Sequence, residues 1–201
     1  MHSSTRLVPG TVHLGQFLWS WVQNPWAVGA IAPSGRELSR LMVQGIGPHS
    51  RVLELGAGTG TVTEAVLEAG VLESNLELVE RDPRFVRVLQ RYFPRVSVHS
   101  IDALSLTRHL RHRAGQIDCV ISGLPLLLFS RRQRMRILSG AFALLAEGGS
   151  FHQFTYAARC PVESRVLERL GLSATRLGIV ARNFPPAFVY RIRRDGQSET
   201  P

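Results

Sequence analysis

Apolar positions along the chain recur at two spacings, and the switches between them mark out the elements. From residue 34, "SGRELSRLMVQG" repeats its apolar residues at helical spacing. Ser34 is the expected N-cap, Glu37 its capping-box partner and Gly45 the stop. An apolar run over 51–58 predicts a strand ending in glycines, and 61–70 a helix stopped by Gly70. Further strands are predicted over 76–80, 96–100, 117–122 and 151–156, with helices over 83–93, 131–149 and 162–171. Pro83 suits the first turn of its helix. Two β-like runs, 175–183 and 187–194, flank Phe184, Pro185 and Pro186. Strands alternating with helices predict an α/β fold with a doubly wound, mostly parallel sheet of seven strands, the last one antiparallel. A single domain over 1–201 is expected, with N-terminal helices over 11–45 and the sheet core over 50–195. Ligands of such sheets lie beyond the carboxyl ends of the strands, so candidate chemistry is sought in the loops that follow them.

One feature precedes this pattern. Leu14, Phe17, Leu18, Trp21 and Val22 form a single apolar stripe on a helix, Trp19 lies off it, and Trp26 follows Pro25. The other face (His13, Gln16, Ser20, Gln23 and Asn24) is polar and mostly uncharged. Two readings stay open: a helix packed over the ligand site, or an interfacial anchor whose tryptophans sit at lipid headgroup level.

Charge narrows the partners. The net charge is +9, and all 24 basic residues are arginine, a side chain suited to phosphate. Nucleic acid and an anionic membrane surface both fit that balance. Arg84, Arg87 and Arg91 share one helical face, and Arg131, Arg132, Arg134 and Arg136 form a second cluster; both also read as ordinary solvated faces. No apolar run reaches the roughly 18 residues of a membrane span, and no signal-peptide pattern appears. Cys119 and Cys160 have no metal or redox spacing and read as free thiols; no metal site is expected.

The first strand runs into "ELGAGTG", with Glu54 ahead of Gly56, Gly58 and Gly60, then Thr61 opening a helix. Glycine removes the Cβ that would block a ligand and permits the tight turn. Glu80, ending the second strand beside Arg81, is placed to accept ribose hydroxyls. This constellation resembles the class I S-adenosylmethionine-dependent methyltransferases. A dinucleotide-binding G-x-G-x-x-G would put its third glycine at Thr61 instead. The resemblance implies a Rossmann-like sheet and S-adenosylmethionine as cofactor. It also implies contacts from Asp102 to the adenine amino group and from neighbouring Ala103, with Ser34 and Ser122 completing the set. On local sequence alone Asp102 is equally a helix N-cap.

The loop "SGLPLLLF" after the fourth strand is where amine methyltransferases place the acceptor nitrogen. Relatives acting on adenine carry an aromatic ring there; this chain has Leu126 or Leu127, losing base stacking of about 1–3 kcal/mol. Taken in order, "NPWAVGAIAPSGRELSRLM", "LELGAGTGTVTEAVLEAGV", "LVERDPRFVRVLQRYFP", "VISGLPLLLFS", "FHQFTY" and "NFPPAFVYRIRR" resemble the bacterial phospholipid N-methyltransferases of the rhizobial type. That resemblance implies conversion of phosphatidylethanolamine to mono-, di- and trimethylated lipid (phosphatidylcholine) by a cytoplasmic protein on the inner face of the cytoplasmic membrane. Trp19, Trp21, Trp26 and the arginine clusters would bind that surface, without nucleic acid or an obligate protein partner. Ornithine-lipid methylation and rRNA or tRNA base methylation are the alternatives, and a non-catalytic cofactor-binding protein is a third class. Tyr156, Ser122 and Asn183 are the candidate catalytic residues, each with a packing or turn role as its alternative. Phe154, Phe184 and Tyr190 are weaker candidates, and His152 is either a base or a core histidine.

Overall fold

The computed structural model describes residues 33–183 and 185–196. The tryptophan-bearing segment and Phe184 therefore lie outside the described residues, as does the side chain of Ser34. The described chain runs α1 (Pro33–Met42), β1 (Val52–Leu55), α2 (Thr61–Glu68), β2 (Leu76–Glu80), α3 (Pro83–Tyr92), β3 (Ser97–Ser100) and α4 (Leu106–His109). It continues with β4 (Ile117–Ser122), α5 (Arg131–Leu144), β5 (Leu145–Thr155), α6 (Ser164–Arg169), β6 (Leu172–Val180) and β7 (Ala187–Arg194).

The strands form one sheet in the order β3-β2-β1-β4-β5-β7-β6. Pairs from β3 to β5 are parallel, and β7 runs antiparallel to both β5 and β6. The expected doubly wound α/β sheet with an antiparallel last strand is the observed one. Every residue of β1 and β2 is buried, as strands covered on both faces require. On one face Leu53, Leu55, Val120 and Phe151 pack under α4, α5 and α6 through Leu106, Ile137, Leu138 and Val166. On the other, Leu78, Ile121, Phe154 and Val189 pack under α1, α2 and α3 through Leu38, Met42, Val66 and Leu89.

Several predicted boundaries shift for local reasons. Helix α1 already includes Pro33, whose fixed φ suits the first helical position. Ser34 therefore lies inside the first turn, not ahead of it as an N-cap. Helix α5 stops at Leu144, not Gly149, because Leu145 turns extended and pairs with Ile117 of β4. The Arg194 guanidinium donates to the carbonyls of Phe142, Leu145 and Ala146, satisfying orphan acceptors at that helix end. Its start is a capping box, Ser130 with Gln133, that the sequence reading passed over. Strand β6 begins at Leu172, three residues before its prediction. A 3-10 turn (Ala103–Ser105) and the single-turn α4 occupy a stretch given no element, being too short to show a period. Edge strand β3 is fixed to its neighbour by His99 Nε2, 2.7 Å from Glu77, whose other oxygen lies 2.6 Å from Arg113 Nε.

Candidate active site

All parallel strands end at one edge of the sheet, and the loops after them form the candidate site. The loop after β1 is held by backbone. Gly56 N–H and Ala57 N–H donate to the Val79 carbonyl at 2.8 and 3.4 Å, and Gly58 N–H donates to Glu80 Oε2 at 3.0 Å. Glu80 Oε1 accepts the N–H groups of Arg81 and Asp82, each at 2.8 Å. A carboxylate offers about four lone-pair positions, so Glu80 keeps one on Oε2 and gains a second wherever the Gly58 bond is exchanged.

The three glycines differ in what surrounds them. A Cβ on Gly60 would stand 2.5 Å from the Phe93 ring, and one on Gly56 2.8 Å from Leu124 Cδ2. A Cβ on Gly58 would meet nothing within 4 Å. Gly60 thus admits a neighbouring helix and Gly56 the loop after β4, while Gly58 alone borders open space. All three have positive φ.

Glu54, ending in this loop from below, is 2% exposed and accepts from Thr63 Oγ1 at 2.6 Å. Burial pushes its carboxyl up to about 8, against the lowering effect of the Thr63 hydroxyl, and the nearby Glu80 charge adds to the rise. Thr61 opens α2 directly after Gly60. After β3, Asp102 takes the N-cap role its sequence allowed. Its Oδ1 caps the 3-10 turn by accepting from Leu104 N–H at 2.8 Å. Its Oδ2 lies 3.7 Å from Arg81 Nη1, with 43% of the side chain exposed. Ala103 beside it is buried.

The family model for "Methyltransferase domain" matches residues 52–149. An ornithine lipid N-methyltransferase of Singulisphaera acidiphila is 31% identical over 183 residues, covering 88% of this chain and 94% of that protein. The chain belongs to the class I S-adenosylmethionine-dependent methyltransferases. Magnesium protoporphyrin IX methyltransferase from Synechocystis, 17% identical, superposes with a TM-score of 0.63 over 96% of this chain and 100% of that one. The 1,6-didemethyltoxoflavin-N1-methyltransferase of Burkholderia thailandensis, 18% identical, gives 0.60 over 96% and 94%. These two likenesses concern the fold. S-adenosylmethionine is the cofactor. Its fit to this methyltransferase rests on Gly58, where an added Cβ would project into open space, and on the lone-pair capacity left at Glu80.

In the methyltransferase, Ser122 ends β4 with no exposed surface and accepts from Leu124 N–H at 3.3 Å. Gly123 N–H donates to the Leu55 carbonyl at 2.8 Å, and a Cβ there would lie 2.9 Å from the Gly56 carbonyl oxygen. The acceptor loop and the cofactor loop thus touch backbone to backbone. Tyr156 follows β5, its ring edge-on to Phe154 at 5.7 Å between centroids, and burial pushes its phenol up to about 12. Asn183 sits in the loop after β6, its N–H on the Val180 carbonyl at 3.3 Å.

Two candidates turn out to be structural. Tyr190 donates its hydroxyl to the Ala158 carbonyl at 2.9 Å. His152 is 2% exposed; its Nδ1 faces the Met42 carbonyl at 2.8 Å, so Nδ1 carries the hydrogen and Nε2 accepts from Ser150 Oγ at 3.1 Å. Desolvation pushes that imidazole down to about 4, and the histidine serves to fasten α1 to β5. Of the second arginine cluster, Arg134 is turned inward onto the carbonyls of Phe129 and Pro161, both at 3.0 Å, and Arg131 pairs with Glu163 at 2.9 Å. Arg84, Arg87 and Arg91 do share an exposed face. Sequence reasoning missed Gln153, fully buried one row below the loops, whose amide Nε2 donates to the Leu124 carbonyl at 2.9 Å and the Phe154 carbonyl at 2.8 Å. The visible signal was a polar pair, His152 and Gln153, inside an apolar strand.

Proposed function

We propose that this methyltransferase methylates the primary amine of a membrane aminolipid. The observation that carries the reading is the 31% identity to an ornithine lipid N-methyltransferase across 94% of that protein. Ornithine lipid is the headgroup this relative favours; phosphatidylethanolamine is the one favoured by the order of motifs along the chain. In both, an amine stands a few bonds from an anionic group.

Gly58 supplies the floor for the cofactor, Glu80 and Arg81 its ribose side, and Asp102 with Ala103 its adenine side, with Glu54 beneath. S-adenosylmethionine supplies an electrophilic methyl group: the N–C bond forms as the S–CH3 bond breaks, its electron pair passing to sulfur. In-line attack makes orientation of the amine the main task of the protein's own residues. Ser122, Tyr156 and Asn183 border the acceptor side, and none is a carboxylate. That suits an amine that must lose a proton: at pH 7 a pKa of about 10 costs roughly 4 kcal/mol, and a facing carboxylate would raise it. The aromatic faces of Phe154 and Tyr156 suit the fixed cation of a fully methylated product.

Two exposed apolar side chains flank this edge: Leu128 in the acceptor loop, 45% exposed, and Ile179 near the end of β6, 46% exposed. Arg132, Arg159 and Arg182 are exposed around them. Together they support peripheral association with an anionic bilayer on the cytoplasmic side, with Trp19, Trp21 and Trp26 as the anchor. Among the described residues no helix is long and apolar enough to cross a membrane. The acceptor loop carries Leu126 and Leu127 where adenine-methylating relatives place a stacking ring, which disfavours a nucleobase acceptor. The test incubates the protein and labelled cofactor with vesicles containing ornithine lipid, vesicles containing phosphatidylethanolamine, or total RNA. Label in either lipid is expected; label in RNA alone would remove the aminolipid reading.

A further inference from the structure

Gln153 is the one buried side chain at the acceptor end with half of its hydrogen-bonding capacity unmet among the described residues. It has no exposed surface, and its Oε1 has no donor, although Nε2 is satisfied twice. The amide cannot be reversed: both Nε2 partners are carbonyl oxygens, and a flip would set oxygen against oxygen. A buried acceptor left without a donor has given up its water and gained nothing in return. Its position gives that cost a purpose. Gln153 stands beside Ser122 in the β4–β5 register, at the level of Leu55, directly under the loop that must meet the amine.

The Leu124 carbonyl above it is already filled, receiving Leu126 N–H at 2.8 Å as well as Gln153 Nε2. It therefore has no lone pair for a substrate. Gln153 Oε1 is the acceptor with capacity to receive one. A neutral primary amine carries two N–H groups and one lone pair. Fixing an N–H is what turns the lone pair toward the methyl carbon.

We infer that Gln153 binds the acceptor amine, its Nε2 holding the loop through Leu124 while its Oε1 takes an N–H of the substrate. The inference rests on the aminolipid reading. Because the loop it holds is the loop the headgroup must enter, admitting the amine and giving Oε1 its donor are one movement. The contact also counts hydrogens. An unmethylated amine has two N–H groups, a monomethylamine one, and a neutral dimethylamine none, so the contribution of Gln153 falls with each methyl already present.

The experiment compares wild type and Gln153→Met on the unmethylated, monomethylated and dimethylated forms of whichever lipid wild type accepts, ornithine lipid or phosphatidylethanolamine. Releasing the loop from Nε2 lowers kcat/KM on all three lipids alike; beyond that common loss, a further loss of roughly 10- to 100-fold is expected on the unmethylated lipid, a smaller one on the monomethylated lipid and none on the dimethylated one. Cofactor affinity by calorimetry should be unchanged. Gln153→Asn, which keeps the amide donor and acceptor on a side chain one methylene shorter, should recover part of the loss on the unmethylated lipid, and it carries the same test if the methionine variant does not fold. Equal losses on all three lipids, or no loss on any, would overturn the inference alone. Wild type inactive on both lipid classes would remove the aminolipid reading and the inference with it.

Discussion

The loops after β1 and β2 hold one another through backbone N–H groups, on the Val79 carbonyl and on Glu80. The loop after β4 shares one such backbone bond, Gly123 N–H on the Leu55 carbonyl, and adds two from side chains, Ser122 from beneath and the Gln153 amide from the next strand. The first arrangement needs particular backbone conformations, which glycine spacing specifies. The second needs a particular side chain at a particular register, which only the assembled sheet specifies. One half of the edge is thus specified by local sequence, the other by long-range register.

The comparison can be broken most forcibly at Gly60. Its φ is +91° and its Cβ would enter the Phe93 ring, so Gly60→Ala should lower stability by about 4 kcal/mol, from strain plus overpacking. Urea unfolding measures this; an unchanged midpoint would mean α3 is not packed through that glycine. Gly58→Val comes next. Valine strains the backbone there too, at a φ of +56°, but its side chain meets only the space a ligand would fill, so cofactor affinity should weaken about 100-fold, near 2.7 kcal/mol. Wild-type affinity by calorimetry would show that Gly58 does not line the cofactor site.

These variants also show what could be read in advance. Strands, helices and the antiparallel last strand were legible because periodicity and glycine breaks record them directly. The three glycines looked equivalent, and only packing against Leu124, Phe93 and open space separates them. Gln153 was invisible for a different reason. Its strand was predicted, but its neighbours Ser122 and Tyr190 come from strands 31 and 37 residues away in the chain, joined to it by sheet register. Tyr190 and His152 each carried a structural reading beside a chemical one, and the structural one holds. Residue type suggested chemistry, and a backbone carbonyl turned out to engage each.

A pH-dependent effect, spread over several units, sharpens the cofactor half. Glu54 has an ordinary value of 4.5 and a folded value of about 8, so between these the native protein holds a proton that the unfolded chain releases. Stability therefore falls as pH rises through that window, by about 1.4 kcal/mol per unit at most, and is level above it. Glu54→Gln should abolish this slope, gaining on wild type from pH 5 to 8 in thermal melts without cofactor. Parallel pH profiles for the two proteins would mean that Glu54 is ionised throughout.

The strand order has a consequence for biosynthesis. β7 is the last strand in chain order, yet it lies between β5 and β6. A nascent chain that has made β1 to β6 therefore leaves one edge of β5 open and β6 without any strand partner until residues 187–194 join the sheet. Arg194, the final residue of that insertion, also closes the carbonyl end of α5. Domains begin folding from the N-terminal side during synthesis, and open edges invite pairing with other chains. For this protein the open edges persist from the completion of β6 until β7 docks between it and β5.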